Sequence, residues 1–386
     1  MKYIFTLLSL MLTLDLMAQT DSVYTHSYLD KSTRFAWLTY GGDLNFLNGG
    51  TSQLLVNRSK QSVDFGSTIT PRLTIGGIHF WGHADFYVTF PLSFMTLQSV
   101  PQGLDEFEVY QGVETGMRLY PMKLTRQAVR PFVGISFRRF RFSQEQENAT
   151  NENGVPNYGQ FIHPIQFGLT YTSDQWHISA SGYYNYQNEF NYYISPTEQG
   201  RVSLDPVSFN ISLLRYVDSD RHMRTKPVVG QINRDYKLLK EKGLLSSWFW
   251  GLGPSAALQI SKSAYLGENF PFLYDNFSVA ILPDVSFGRY FNRLDANVNL
   301  TFRSYSDRFE GFNTEIRTRR HSIGVESVKF LFNYLGFVPF VGLAVSHESL
   351  KTTVDRVDHF RNVVAMGVTF GWDIRVTKTG SSLLRT

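Results

Sequence analysis

Apolar and polar positions alternate along most of the chain with a period of two, which sends successive side chains to opposite faces of a strand. In Asp295 to Phe302, Asp295, Asn297, Asn299 and Thr301 share one side, and Ala296, Val298, Leu300 and Phe302 share the other. Ser278 to Gly288 repeats this with Val279, Ile281, Val285 and Phe287 on the apolar face. Glu108 to Tyr120 sets Val109, Val113, Met117 and Leu119 against Tyr110, Glu114, Arg118 and Tyr120, and Arg130 to Phe142 does the same with Val133, Ile135 and Phe137. A helical stripe would recur at i, i+3 and i+4 instead. The pattern predicts an all-β chain of about 14 antiparallel strands. They fall at 34–46, 66–81, 84–94, 106–120, 129–142, 160–172, 176–189, 205–217, 247–261, 276–290, 294–306, 315–331, 336–348 and 360–376.

The intervening segments are sorted by length. Every odd one is long and polar: Leu47 to Phe65, Met95 to Asp105, Ser143 to Gly159, Phe190 to Leu204, Lys262 to Asp275, Asp307 to Thr314 and Ser349 to His359. Most even ones are short: Gly82 to His83, Ser173 to Gln175, Phe291 to Arg293 and Phe332 to Leu335. Long outer loops alternating with short inner turns are what a transmembrane up-and-down barrel requires, and a soluble sandwich has no reason to sort its loops this way. Tyr183, Tyr184, Tyr186, Trp248, Trp250, Phe370 and Trp372 sit near strand ends, where amphipathic rings favour the headgroup zone.

The opening residues form a separate unit. Lys2, the apolar run Ile4 to Leu14 and the small Ala18 predict an export signal over 1–18. At the ~1.5 Å rise of a helix that run is too short to span a bilayer. One inner segment, 218–246, breaks the alternation by being long. Within it Gln231 to Lys242 reads as a short helix ended by Gly243, with Ile232, Tyr236 and Leu239 on one face. The segment fits a periplasmic helix, a partial plug or a linker between the two halves, and Gln231 to Lys242 is the expected contact for a periplasmic or envelope protein partner.

Composition narrows the classes. Hydrophobic residues make up 42% of the 386 residues and aromatics 15%, the reverse of a disordered chain. Lys plus Arg number 37 against 33 Asp plus Glu, a net charge of +4 that marks no nucleic-acid footprint. The absence of Cys removes disulfides, thiolate metal sites and Cys nucleophiles. No Gly-rich phosphate loop or metal-ligand spacing stands out, so no cofactor is expected.

The two halves, 34–217 and 247–386, share ordered matches. Gly112-Val113-Glu114 followed by Pro131-Phe132-Val133-Gly134 recurs as Gly324-Val325-Glu326 followed by Pro339-Phe340-Val341-Gly342. Pro71-Arg72 answers Pro283-Asp284, Asp85 answers Asp295, and Phe167 to Thr170 answers Met366 to Thr369. These P-F-V-G strand openings and the loop sorting make the chain resemble the Gram-negative outer-membrane β-barrel proteins of porin-like size. The resemblance implies an outer-membrane barrel over 19–386 in contact with outer-membrane lipid and lipopolysaccharide. The ending Ser381 to Thr386 departs from that family, whose last strand usually closes on an aromatic residue. One wide barrel is the preferred arrangement and two eight-stranded units the alternative.

Function has to come from the inner face. Strand parity points Arg72, Asp85, Glu114, Arg118, Arg138, Asp284, Asp295, Arg303 and Glu326 into the lumen, with Gly112, Gly134, Gly168, Gly324, Gly342 and Gly367. Mixed charge rows serve two ends: they shape the field of a porin-like channel for small solutes, or they lock into a salt-bridged plug in a structural or partner-binding barrel. A non-enzymatic barrel is expected. The alternative from another class is a barrel-type lipid esterase or deacylase, for which His177 and Ser179, two apart on one face, would pair imidazole with hydroxyl. Asp358-His359 point to opposite faces and form no such pair. Arg317, Arg319, Arg320 and His321 read as a basic rim for lipopolysaccharide phosphates.

Overall fold

The computed structural model describes residues 37–56, 58–125, 127–146, 158–173, 175–217, 247–257, 264–273, 280–291, 294–312, 314–332, 337–354, 356–375 and 383–385. The export signal expected over 1–18 and the helix expected at Gln231 to Lys242 both lie outside them. The first half runs β1 (Trp37–Leu47), β2 (Gly50–Val56), β3 (Ser59–Phe65), β4 (Thr68–His79), β5 (Ala84–Pro91) and β6 (Leu104–Leu119). It continues with β7 (Ala128–Gln146), β8 (Tyr158–Ile162), β9 (Ile165–Thr172), β10 (Trp176–Tyr184), β11 (Glu189–Tyr193), β12 (Gln199–Leu204) and β13 (Val207–Val217). The second half contains β14 (Ser247–Ala257), the short helix α1 (Ala264–Asn269), β15 (Ala280–Phe291), β16 (Ala296–Gly311) and β17 (Thr314–Phe330). It ends with β18 (Phe337–Val354), β19 (Val357–Arg375) and the brief β20 (Leu383–Arg385).

Each expected strand interval overlaps one of these strands, but they do not form a single fourteen-stranded wall. β1, β4, β5, β6, β7, β9, β10 and β13 pair in that order, and β13 returns to β1 antiparallel from Leu38–Val217 to Leu47–Ser208. Eight strands therefore close without the second half. The expected wide barrel is corrected to an eight-stranded barrel, a four-stranded sheet (β11-β12-β2-β3) and a seven-stranded sheet (β14 to β20). Sequential hairpins with tight inner turns favour this, because each strand finds its neighbour locally and the ring closes once β13 reaches β1. At the first inner turn Gly82 has φ +95, a left-handed conformation that glycine adopts without penalty, and its carbonyl accepts the Leu124 N–H at 2.9 Å.

The barrel wall is inverted relative to a soluble core. On β9, Ile165, Phe167, Leu169 and Tyr171 are exposed while Gln166, Thr170 and Thr172 are buried. On β13, Phe209, Ile211 and Leu213 face out, and Ser208, Asn210 and Ser212 face in. The outward faces of β16 and β17 follow suit, with Val298, Leu300, Phe302, Ile323 and Val325 exposed.

Several segments expected to be polar loops are ordered strands. β2, β3, β11 and β12 replace the loops after β1 and β10, and their inner side joins the upper ends of β6 and β7 in an apolar cluster that includes Leu47, Leu54, Phe107, Phe140, Phe142 and Phe190. Asp307 to Thr314 and Ser349 to His359 continue long hairpins with tight turns, where Phe312 and Arg356 take left-handed φ values of 49 and 73. In β6 a register shift between Gln111 and Glu114 reverses the expected parity above it. Val109 is consequently buried in the apolar cluster, while Glu114 and Arg118 point inward as read from sequence.

Candidate functional site

The barrel interior is the densest polar assembly among the described residues. Arg72, from β4, donates through Nε to Asp43 Oδ1 at 2.5 Å and through Nη1 to Glu114 Oε2 at 2.6 Å. The second Asp43 oxygen accepts from Thr74 at 2.7 Å, and the second Glu114 oxygen accepts from Tyr87 at 2.7 Å. Tyr87 in turn accepts from Gln166 Nε2 at 2.7 Å. Arg118 donates to Asp85 at 3.2 Å and to Gln166 at 3.2 Å, with its guanidinium 4.5 Å from the Tyr87 ring centroid and 5.2 Å from that of Phe132. Arg138 donates to Gln111, Asn185 and Ser208 and lies 4.4 Å over Tyr183.

Three buried guanidiniums, Arg72, Arg118 and Arg138, thus share the interior with three carboxylates. Arg72 bridges Asp43 and Glu114, Arg118 pairs with Asp85, and none of these pairs exposes a side chain by more than 2%, while the Arg138 hydrogen bonds to Gln111, Asn185 and Ser208 go to neutral groups. An eight-stranded barrel encloses an interior just wide enough for side chains to fill or for one small ligand, and here buried polar side chains occupy it. Close approach is built into the wall: a Cβ added at Gly116, opposite Tyr87, would stand 2.3 Å from the tyrosine oxygen. The outer mouth is covered by the apolar cluster, where Phe140 stacks on Phe190 at 5.5 Å and Phe142 meets Tyr192 edge-on at 5.0 Å. At the inner end Ile78, Tyr120, Leu124 and Phe132 pack together, and Tyr120 OH lies 3.1 Å from Thr170 Oγ1.

The structure brings together five of the nine charged residues assigned to a lumen: Arg72, Asp85, Glu114, Arg118 and Arg138. The other four lie in the second half, three on strands of the seven-stranded sheet and one in a turn between them. Arg303 pairs with Asp284 at 2.8 Å, and Glu326 accepts from Asn299 at 3.1 Å. Asp295 is not on a strand; it occupies the turn before β16 at φ 49 and accepts from Tyr290 OH at 2.5 Å. Sequence reasoning missed Asp43, although Asp43-Leu44-Asn45-Phe46 carries the same alternation, and it missed Tyr87, Gln166 and Tyr183, which parity places inside. Tyr183, expected in the headgroup girdle, is fully buried over Arg138, whereas Tyr184, Tyr186, Trp248, Trp250 and Phe370 are exposed. Trp372 is half-buried and meets His79 and Phe86 at 6.4 and 5.9 Å.

His177 and Ser179 both point inward, but each is engaged elsewhere. His177 Nδ1 lies 3.2 Å from Tyr216 OH and Nε2 lies 3.8 Å from Asp85, while Ser179 Oγ is 2.5 Å from Ser212 Oγ and accepts from Arg118 at 3.4 Å. Among the described residues no hydrogen bond joins the imidazole to the hydroxyl. Of the expected basic rim, Arg317, Arg319 and His321 face outward; Arg320 faces inward, where it donates to Glu348.

No protein-family model matches the chain, and no curated protein matches it. Among solved structures it is similar to the outer membrane protein OprG from Pseudomonas aeruginosa, with 12% identity and a TM-score of 0.35, over 48% of this chain and 97% of OprG.

Proposed function

We infer that the protein is a non-enzymatic outer-membrane β-barrel of the closed kind: a membrane anchor whose interior is packed shut and whose outer mouth carries a small ordered sheet available to partners. The membrane reading rests on the inverted wall, because a ring of strands with apolar side chains outside and ion pairs inside is stable where hydrocarbon surrounds it and every backbone group is paired within the ring. The closed reading rests on one observation, the neutral, fully buried set of three cations and three anions across the lumen. It favours the plug over the porin-like channel. The engaged state of His177 and Ser179 supports a non-enzymatic role, since a nucleophile needs a base within hydrogen-bond reach.

The second half is read as a partial counterpart of the first. The matched Pro131 to Gly134 and Pro339 to Gly342 open β7 and β18, and Phe132 and Phe340 are both buried. Single-channel recording in planar bilayers tests the main claim: purified, heat-modifiable protein is expected to insert without conducting, and steady openings would restore the channel reading. Ester and phospholipid turnover at background, unchanged by His177→Ala with Ser179→Ala, is the matching expectation for the enzyme alternative.

A further inference from the structure

The six long strands β14 to β19 form a wall built like the barrel's, but it does not close. In the barrel a row of paired residues begun at Trp37 crosses all eight strands and returns to β1 at Leu47, ten residues (47 − 37) further out. This climb is the stagger that closing a ring of tilted strands requires. In the second half a row begun at Trp250 crosses Phe287, Leu300, Val325 and Val345 and stops at Met366. Among the described residues β14 pairs only with β15, and the far side of β19 is met only at Asp373–Arg375, by β20.

Side chains on both faces of the two edges record the same contrast. Outward, Val298, Leu300, Phe302, Ile323 and Val325 in the middle of the wall are 41–54% exposed, whereas Trp250 on β14 reaches 77% and Met366 and Phe370 on β19 reach 81% and 83%. Inward, a Cβ added at Gly288, Gly324 or Gly342 would stand 2.5, 2.9 and 2.2 Å from a carbonyl oxygen of the neighbouring strand. At Gly253 on β14 and Gly367 on β19 it would meet nothing within 4 Å. Glycine weakens a strand and suits a place that another backbone approaches closely, and the two edge glycines leave room for one.

Hydrocarbon tolerates no unpaired strand edge, and six strands are fewer than the eight of the smallest outer-membrane barrels. The first half has no strand to lend, because eight of its strands close on one another and the other pairings make the sheet above the mouth. A second copy supplies both edges at once. β14 runs outward and β19 inward, so β14 of one copy lies antiparallel to β19 of the next, and a two-fold axis along the bilayer normal makes both seams together. An overlap of about eight residues at ~3.4 Å each, on a sheet about 10 Å thick, buries roughly 1,100 Å² over two seams, enough for a specific interface.

We propose that the edges of the seven-stranded sheet are an interface between two copies of this chain, in which β14 of each pairs with β19 of the other and the two walls close into one shared barrel of twelve long strands. This rests on the outer-membrane reading above and adds a second barrel, made between copies, whose lining includes Asp284, Asn299, Thr301, Arg303 and Glu326. The first barrel's climb, ten residues over eight strands, scales to about seven or eight residues for six strands. Only even offsets keep outward faces together. An offset of six sets Phe370 opposite Leu252 of the other copy, and one of eight sets Trp372 there.

The full chain contains no cysteine, so introduced ones report alone. Residues directly opposite on paired strands have Cβ atoms about 4.5–5.5 Å apart, near disulfide reach. Leu252→Cys with Phe370→Cys, or Leu252→Cys with Trp372→Cys, is expected to shift the chain from monomer to a reducible dimer on denaturing gels after mild oxidation in outer-membrane vesicles. Each single variant, and Leu252→Cys with Val364→Cys at zero offset, is expected to stay monomeric. Native mass spectrometry of the wild-type chain in detergent, which depends on no variant folding, is expected to give two copies. A one-copy or three-copy mass, a different protein bound to one copy, a disulfide closing within one chain, or a two-copy mass with no cross-link from either pair would overturn the proposal. Flotation of the wild-type chain with outer-membrane vesicles separates the two readings. If it floats as single copies, only the shared barrel fails; if the mature chain stays in the aqueous fraction, both fail.

Discussion

Arg72 and Arg303 make the same contact, Nε to a carboxylate oxygen, at 2.5 and 2.8 Å. The first pair lies in the closed barrel with 0% and 2% of its side chains exposed; the second lies on the inner face of the seven-stranded sheet with 43% and 23% exposed. Local sequence does not explain the difference, since both arginines sit on alternating strands in antiparallel hairpins. Closure does. β13 returns to β1 and seals the first lumen, whereas β14 pairs on one side only, with β15, among the described residues. The two regions therefore test how much of a barrel's internal electrostatics depends on completing the ring.

The largest expected effect is at Arg72. Arg72→Ala leaves Asp43 and Glu114 facing each other across a sealed interior, and breaking a buried pair from one side costs about 3–5 kcal/mol. Urea unfolding of protein reconstituted in lipid vesicles should show this as a lowered midpoint with an unchanged slope. A loss below about 1 kcal/mol, the worth of an exposed pair, would mean that water reaches the site and that the barrel is open after all.

Next come the outer walls. Ile211→Arg on β13 and Val325→Arg on β17 each put a charge among exposed apolar side chains, and a mid-bilayer arginine on a barrel wall costs about 2–4 kcal/mol. Equal losses in vesicle unfolding would place both regions in hydrocarbon. A loss at Ile211 with none at Val325 would sharpen the comparison differently, by confining the membrane to the barrel. Gly116→Ala follows: the new methyl meets the Tyr87 oxygen that holds Glu114, and overpacking of this kind costs about 1–3 kcal/mol. Far-ultraviolet thermal melts would report it, and Tyr87→Phe in the same background should not recover it, because the ring carbon that bears the oxygen is met as closely and Glu114 loses its tyrosine hydrogen bond.

Strand positions and facing were largely legible because period-two alternation is a local signal that survives in each hairpin. Arg72, Asp85, Glu114, Arg118 and Arg138 were placed inward on parity alone. Three things were not legible. Ring size depends on which distant strands meet, and nothing in the sequence of β1 or β13 announces that Leu38 will pair with Val217. The bulge in β6 shifts parity by one residue, so Val109 was assigned to the wrong face. The four-stranded sheet above the mouth reads as loops in the sequence because β3, Ser59 to Phe65, is almost wholly exposed and polar, while the apolar residues that anchor its neighbours, Leu54, Phe190 and Val202, are spread over segments more than a hundred residues apart.

The smallest effect, and the one that closes the comparison, is at Arg303. Its pair with Asp284 is partly solvated and joins adjacent strands, where Asp284 is directly opposite Arg303 in the register. An ion pair in that setting contributes about 0.2–1 kcal/mol and is weakened by salt. Arg303→Ala should therefore lower the vesicle-unfolding free energy by no more than about 1 kcal/mol, and the difference from wild type should shrink further between low and molar salt. Arg72→Ala, shielded inside its ring, should keep its full deficit at both. If Arg303→Ala instead costs as much as Arg72→Ala and is equally insensitive to salt, the seven-stranded sheet is sealed in the membrane as the barrel is, and its edge at β14, unpaired among the described residues, must be met by a further strand, since lipid does not tolerate an unpaired edge.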